Sequence, residues 1–421
     1  MNKCKSSENF ENFNIDRLLI MYLRILVVSD ELYYTNNSLP STLIDIVRVL
    51  AKRGCKVCLV QPGSSDWVRY EKLFHVITFS RIPEYFTSFF KALQRSNETL
   101  FKAAASSLNL KVYRLLWEQS RSSDVILCYD VQYAIPAIIA AKITRKPVIL
   151  LGDILYISYY RGLKDVSPLQ LLMLLAWEKT VEYLVDRIAV WGPDDEKFLL
   201  SSGIAKEKIK VIPLSIDLTK IELLTKQPND ELPYRRLKQL KEKGFKIIMF
   251  HGNMSYSPNQ LSVHHIIRNI APALLKRDNN IVFVIVGANP KNIEQTNDQI
   301  IFTGRVNNIF SFLDLADLAI VPLTVGTGVK NKVLEYFALS KPVIATKIGV
   351  ENLAVKNMFH CVITDIDEFP DKVILLLENP DLLATLGRNG QEYVRENHQF
   401  KNYERYVELA NELSKSNFSK N

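Results

Sequence analysis

The feature that most constrains this chain is a pattern: short, nearly unbroken apolar runs alternate with helical stretches, in two successive series. The first series opens with "LRILVVSD", an apolar run that closes on a charge, as a buried parallel strand does. "TLIDIVRVLAKRG" follows, with Leu43, Ile46, Val47 and Leu50 on one helical face and Gly54 just past the end. "KVCLVQP", "DVILCYD", "KPVILL", "DRIAVWG" and "IKVIPLS" then read as strands, with "AIPAIIAAKI" as a helix between two of them. The long region Glu71–Ser120 shows only mixed helical periodicity.

A second series begins after "LTKQPNDELPYRRLKQLKEKG", a polar stretch with no strand signal. "KIIMFHG", "IVFVIVG", "IIFTG", "LAIVPL" and "PVIAT" read as strands, and "LSVHHIIRNIAPALLKR" and "NKVLEYFAL" as helices. Alternation of this kind predicts an α/β protein with two doubly wound parallel sheets, Rossmann-like and facing each other. A chain of 421 residues also exceeds one ordinary core. The expected division is 1–20 as an unstructured leader (or a start set upstream of Met21), 21–218 as an N-terminal Rossmann-like domain and 219–244 as a linker. Residues 245–399 then form a C-terminal Rossmann-like domain, and 400–421 a helix returning to the first domain.

A net charge of +8 suits anionic small molecules or an anionic membrane surface and is too mild to argue for nucleic acid. Cys55 and Cys58 form a C-x-x-C, but inside a strand reading, where residues three apart face opposite ways, so they read as packing residues. No second Cys pair or His cluster completes a metal site, and none is expected. The polar first twenty residues lack the apolar core of a signal peptide. The apolar run "LQLLMLLAW" is too short to span a bilayer. A cytoplasmic location is expected, with peripheral contact on the inner face of the cell membrane as a further option.

The stretch "TVGTGVKNKVLEYFALSKPVIAT" (Thr324–Thr346) carries the chemistry. It follows a strand end, where ligands of such sheets bind. Gly326 and Gly328 let backbone amides approach a ligand, and the following helix points its positive end at the loop. Lys332 sits in the first helical turn, where a cation disfavours the helix and so implies an anionic partner. Glu335 lies three residues later on the same face. Amides and Lys332 suit a diphosphate, and Glu335 suits vicinal hydroxyls. The bland alternative is a helix start with an ordinary Glu–Lys surface pair. The spacing excludes a P-loop, and no G-x-G-x-x-G follows the first strand of either half, which disfavours a dinucleotide oxidoreductase.

The same stretch resembles the donor-site signature of retaining GT-B glycosyltransferases of family 4. "FHGNMSYSPNQ", "FVIVGANP", "FTGRV" and "DLADLAIVPL" keep that family's order, and "DRIAVWGPDDEKFLLSSGIAKEKIKVIPLSID" resembles the end of its first domain. The resemblance implies Glu335 on the donor ribose, Lys332 on the diphosphate, and Gly326, Thr327 and Gly328 along the sugar and phosphates. It puts Arg305 and Val306 beside the nucleobase and Gly252 and Asn253 on the cleft loop.

Departures from that pattern are equally specific. Thr327 stands where the family carries an acidic residue, and Asn253 replaces an arginine, leaving Lys330 and Arg305 as substitute cations. "ELYYTNNSLPST" replaces the glycine-rich loop after the first strand, Gly152–Asp153 occupies a usual histidine position, and Ser340 replaces a helix-ending glycine. Asp153 is the catalytic candidate on the first-domain face, for sugar binding or proton handling, against a plain loop-capping role. His251 and His264 read as structural.

The implied activity is sugar transfer from a nucleoside diphosphate sugar, the co-substrate, to a glycan or lipid-linked acceptor with retained configuration and no cofactor. The alternative is a degenerate relative that binds a nucleotide sugar or supports a partner enzyme. "YISYYRGLKDVSPLQLLMLLAWEK" and "FTSFFKALQRSNETLFKAAASS" mix aromatic, basic and apolar residues as membrane-lying surfaces do, and as ordinary cores do.

Overall fold

A computed structural model of the chain describes residues 23–29, 42–62, 75–79, 110–129, 133–152, 168–254, 256–288 and 297–418. Two parallel sheets form its framework. The first has seven strands: β1 (Arg24–Ser29), β2 (Lys56–Pro62), β3 (His75–Phe79), β4 (Val125–Tyr129), β5 (Val148–Leu151), β6 (Arg187–Val190) and β7 (Ile209–Val211). They run in the order β3-β2-β1-β4-β5-β6-β7. Side-chain alternation splits β1 between two cores. Ile25 and Val27 join one face, with the Thr42–Lys52 helix, and Leu26 and Val28 join the other. Cys55 packs on the first of these faces and Cys58 against the second, so the two thiols do not meet. Burial pushes both thiols up to about 11, as packing cysteines require.

The second sheet has six strands: β8 (Lys246–His251), β9 (Ile281–Val286), β10 (Ile300–Gly304), β11 (Leu318–Val321), β12 (Val343–Ala345) and β13 (Val362–Ile363). Their order is β10-β9-β8-β11-β12-β13. The strand order reverses between β8 and β11, and a crevice opens at such a reversal outside the carboxyl ends of the strands. Every strand of the second series expected from the sequence is present. β3 and the two-residue β13 were not foreseen: the first lies inside the region of mixed periodicity, and the second is too short to carry a period.

The stretch 219–244, expected as a linker, holds two helices, Leu218–Thr225 and Leu232–Glu242. Asp217 caps the first, its Oδ1 accepting from the Lys220 amide at 3.0 Å. Ile221 and Leu237 bury into the second sheet's core, which makes the segment part of that body. The chain returns at residues 398–403: the Ile216 amide donates to the His398 carbonyl at 3.1 Å, and the Tyr403 hydroxyl bonds both the amide and carbonyl of Ser215. The Glu404–Phe418 helix then lies on the first sheet, burying Tyr406, Val407, Ala410 and Leu413 beside the Thr42–Lys52 helix.

Ser340 follows the Asn331–Ala338 helix with φ of +56°, the left-handed conformation that favours glycine.

Candidate active site

The crevice between β8 and β11 collects most of the sequence-selected residues. After β11 the chain turns through Gly326 (φ +130°) and Gly328 (φ +71°), values open to glycine and costly to other residues. Lys330 then starts the Asn331–Ala338 helix. Its ammonium does not reach outward: Nζ donates to the Gly328 carbonyl at 2.6 Å and stands 3.5 Å from Glu351 Oε2, bracing the loop from beneath.

Lys332 is half-buried, with Nζ 2.6 Å from Asn259 Oδ1 and 4.1 Å from the centre of the Phe250 ring. Loss of water lowers its pKa to about 7; Glu335 opposes that shift and Lys330 reinforces it. Asn259 in turn donates to the Asn253 carbonyl at 2.9 Å, and a Cβ on Gly252 would strike Asn259 Nδ2 at 2.6 Å. Gly252 and Asn253 are therefore one contact away from Lys332.

Glu335 is 2 % exposed, and its Oε2 lies 2.6 Å from His251 Nε2. With the carboxylate accepting, the Nε2 nitrogen carries the proton. Tyr336 meets the His251 ring edge-on, with centres 4.9 Å apart, so the imidazole is held on two sides. His251 was expected to be structural; it is the residue that orients the glutamate, and its position at the end of β8 was the available signal. Glu335 and Asn331 also line a recess shared with Thr42 and Asp45 of the first domain and the Leu214–Ile221 stretch. Burial pushes the Asp45 carboxyl up to about 6, with Arg48 and Lys220 opposing and Asp217 reinforcing the shift. Asp45 was not singled out from the sequence, although an Asp between Ile44 and Ile46 in an apolar helix was a visible irregularity.

Thr327 sits half-buried between the two loop glycines. Arg305 (exposed) and Val306 follow β10, the edge strand, two strands away from β8; Val306 packs on the second core. Among the described residues, no hydrogen bond or ion pair joins them to Lys332 or Glu335. Asp153 lies outside the described residues, next to Gly152, which ends β5 with φ of +118°. His264 falls on the Ser257–His265 helix, as expected. Among the described residues, no group of three or more His, Cys, Asp or Glu side chains could hold a metal ion.

Two facing parallel-sheet domains with a crevice at the carboxyl edge of each sheet are what the resemblance implied, and comparison with known proteins agrees. Residues 245–379 match the family model described as glycosyl transferases group 1. The chain has the GT-B fold. The crystal structure of Alr3699/HepE from Anabaena in complex with UDP superposes with a TM-score of 0.68 at 16 % identity, over 92 % of this chain and 99 % of that one. A glycosyltransferase from Rickettsia africae gives 0.68 at 15 % identity, over 93 % and 98 %. Sucrose-phosphate synthase from Thermosynechococcus elongatus gives 0.66 at 15 % identity, over 95 % and 100 %. At such identities the likeness speaks for the fold; the family match speaks for the second domain. No curated protein matches the chain by sequence. Together the GT-B fold and the group 1 domain support the glycosyltransferase expectation.

Proposed function

We propose that this GT-B protein transfers a glycosyl group from a nucleoside diphosphate sugar to an acceptor hydroxyl, with retention of configuration. The observation that carries the reading is the set of groups at the β8/β11 crevice: a double-glycine turn, a helix mouth, the Lys332 ammonium and the buried Glu335 carboxylate. Backbone amides and Lys332 bind the diphosphate, and Lys330 shapes the loop that presents those amides. Glu335, steadied by His251 on one oxygen, accepts hydrogen bonds from vicinal ribose hydroxyls with the other. As the anomeric carbon leaves the diphosphate and bonds the acceptor oxygen, negative charge gathers on the departing phosphate. Lys332 and the helix dipole stabilise it. Asp153, on the first-domain side, is assigned to sugar binding or to the acceptor proton. Arg305 and Val306 are assigned to the nucleobase. The UDP held by the Anabaena relative, and the UDP-glucose in another structure of the same protein, favour a uridine diphosphate sugar as the first donor to try.

The acceptor is assigned to the first domain, as a glycan or a lipid-linked saccharide. One surface there favours the lipid-linked case. The Pro168–Leu184 helix turns Glu178 and Glu182 inward and leaves Leu169, Leu172, Met173 and Tyr183 outside, in i, i+3, i+4 and i+14 register. Lys208 stands at its end, bonded to the Glu182 and Tyr183 carbonyls; burial lowers its pKa, Asp186 opposes that shift, and Lys142 and Arg187 reinforce it. An apolar stripe on a helix whose far end meets Lys142, Arg187 and Lys208, with Asp186 and Glu412 among them, suits the face of an anionic bilayer. No helix among the described residues is long and apolar enough to cross one.

The second reading is a nucleotide-sugar binder without turnover, favoured by Thr327 in place of the expected acid and by the altered first-domain loop. Calorimetry against uridine, guanosine and adenosine diphosphates and their sugars tests the donor site, and release of free sugar or transfer to a hydroxyl tests turnover. Binding with neither hydrolysis nor transfer supports the second reading. Absence of any nucleotide binding defeats both.

A further inference from the structure

Among the described residues the two domains also touch away from the 214–217 crossing and the recess, and this contact has an unusual form. The Pro193–Ser201 helix of the first domain begins after Gly192, which has no side chain to satisfy the first helical amides. Asn352, from the second domain, supplies that cap. Its Oδ1 accepts from the amides of Asp194 and Asp195 at 3.1 and 3.0 Å, and its Nδ2 donates to Asp195 Oδ1 at 2.8 Å. Its own amide donates to Asp194 Oδ2 at 3.0 Å. Four hydrogen bonds thus join residues more than 150 positions apart.

Both sides are shaped for the contact. Asn352 holds a left-handed backbone, φ +63°, which asparagine tolerates better than most residues, and it is 3 % exposed. A Cβ on Gly192 would lie 2.3 Å from the Asn352 Cβ, so the glycine is what admits the asparagine. Trp191, just before it, packs into the second domain's core. The neighbouring Glu351 faces Lys330, and Lys330 holds the Gly328 carbonyl. The cap therefore sits two residues' reach from the loop assigned to the donor.

We propose that Asn352 is a positioning residue: an interdomain clasp that sets the opening of the cleft and joins it to the donor loop through Glu351 and Lys330. A hinge alone leaves the angle between two bodies free, and a second, directional contact at the carboxyl edges of both sheets fixes it. The consequence for turnover rests on the donor-site reading above, whereas the clasp itself does not.

Asn352→Gly is the decisive variant, since glycine accepts the same backbone and removes only the cap. With spin labels at exposed Glu207 and Asp381, one in each domain, the interdomain distance distribution is expected to lengthen and broaden relative to wild type. UDP affinity measured by calorimetry is expected to hold, because the donor groups stay in place, while sugar transfer falls about fivefold or more as the closed population shrinks. An unchanged distance distribution overturns the proposal, and so does a changed distribution with unchanged transfer. Should the wild-type chain bind none of the uridine, guanosine and adenosine diphosphates, the donor reading fails and the distance measurement alone decides the clasp. Should Asn352→Gly not fold, Asp194→Ala, which removes one of the four bonds from an exposed side chain, gives the same measurement with a smaller expected change.

Discussion

At the scale of single residues, the crevice works by holding charge in places where water cannot easily reach it. Glu335 is the most enclosed of these groups, and at half-buried Lys332 the partial loss of water brings the pKa to about 7, so the ammonium is present only part of the time at pH 7. A bound diphosphate restores the charge. Nucleotide binding is therefore expected to take up about one proton at about pH 8 and little below about pH 6, read by calorimetry in buffers of different ionisation enthalpy. Lys332→Ala and Glu335→Ala are each expected to lower donor turnover about a hundredfold or more, the first with the thermal midpoint largely kept and the second with some loss of stability, since it leaves the buried His251 without its partner. His251→Ala removes the partner of a buried carboxylate; a loss of about 1–3 kcal/mol in stability, together with weaker UDP binding, is expected from denaturant unfolding and calorimetry. Of these side chains, Lys332 and Glu335 could be chosen from their spacing behind two glycines, because helical register alone puts them on one face. The partnership of His251 with Glu335 and of Asn259 with Lys332 could not be read, since the partners are 84 and 73 residues apart and meet only when β8 lies beside β11.

Among the elements, two helices show how local sequence and tertiary demand part company. The Asn331–Ala338 helix closes on Ser340 in a left-handed conformation. Ser340→Gly is expected to raise stability by about 1 kcal/mol, measured by chemical denaturation, since it relieves the steric cost at that position. The Thr42–Lys52 helix carries Asp45 toward the interdomain recess with its carboxyl raised to about 6. The folded chain then binds a proton more readily than the unfolded one between about pH 6 and pH 4. This group's contribution to stability is fully present below that window and is lost as pH rises through about 6. Comparing wild type with Asp45→Asn across pH 4 to 7 is expected to isolate that slope, the variant's profile lacking it. Strand identity was readable wherever an apolar run ended in Gly, Pro or a charge, as in β1, β8 and β11. It was not readable at β3, which occupies five residues of a region with competing periodicities, nor at β13, whose two residues show no alternation. The helices of 218–242 were hidden for another reason: their buried faces are single residues such as Ile221 and Leu237 in otherwise polar runs.

For the whole molecule, the arrangement of two sheets, a hinge and a returning C-terminal helix makes one crevice from parts of both domains. The exposed stripe on the Pro168–Leu184 helix, with Lys142, Arg187 and Lys208 beside it, leads to a prediction at this scale. The protein is expected to sediment with vesicles containing phosphatidylglycerol and not with purely zwitterionic ones, and Leu172→Glu with Lys208→Glu is expected to abolish that binding. The doubly wound class followed from the order of amino acids alone, because period and chain punctuation act over a few neighbouring residues; helical register likewise put Lys332 and Glu335 on one face, while the roles proposed for them came with the family resemblance. The pairing of His251 with Glu335, the perturbed Asp45 and the capping of one domain's helix by Asn352 of the other came only with the folded chain. Each depends on residues distant in sequence being brought within about 3 Å, and on the loss of water that such packing imposes, which no local pattern encodes.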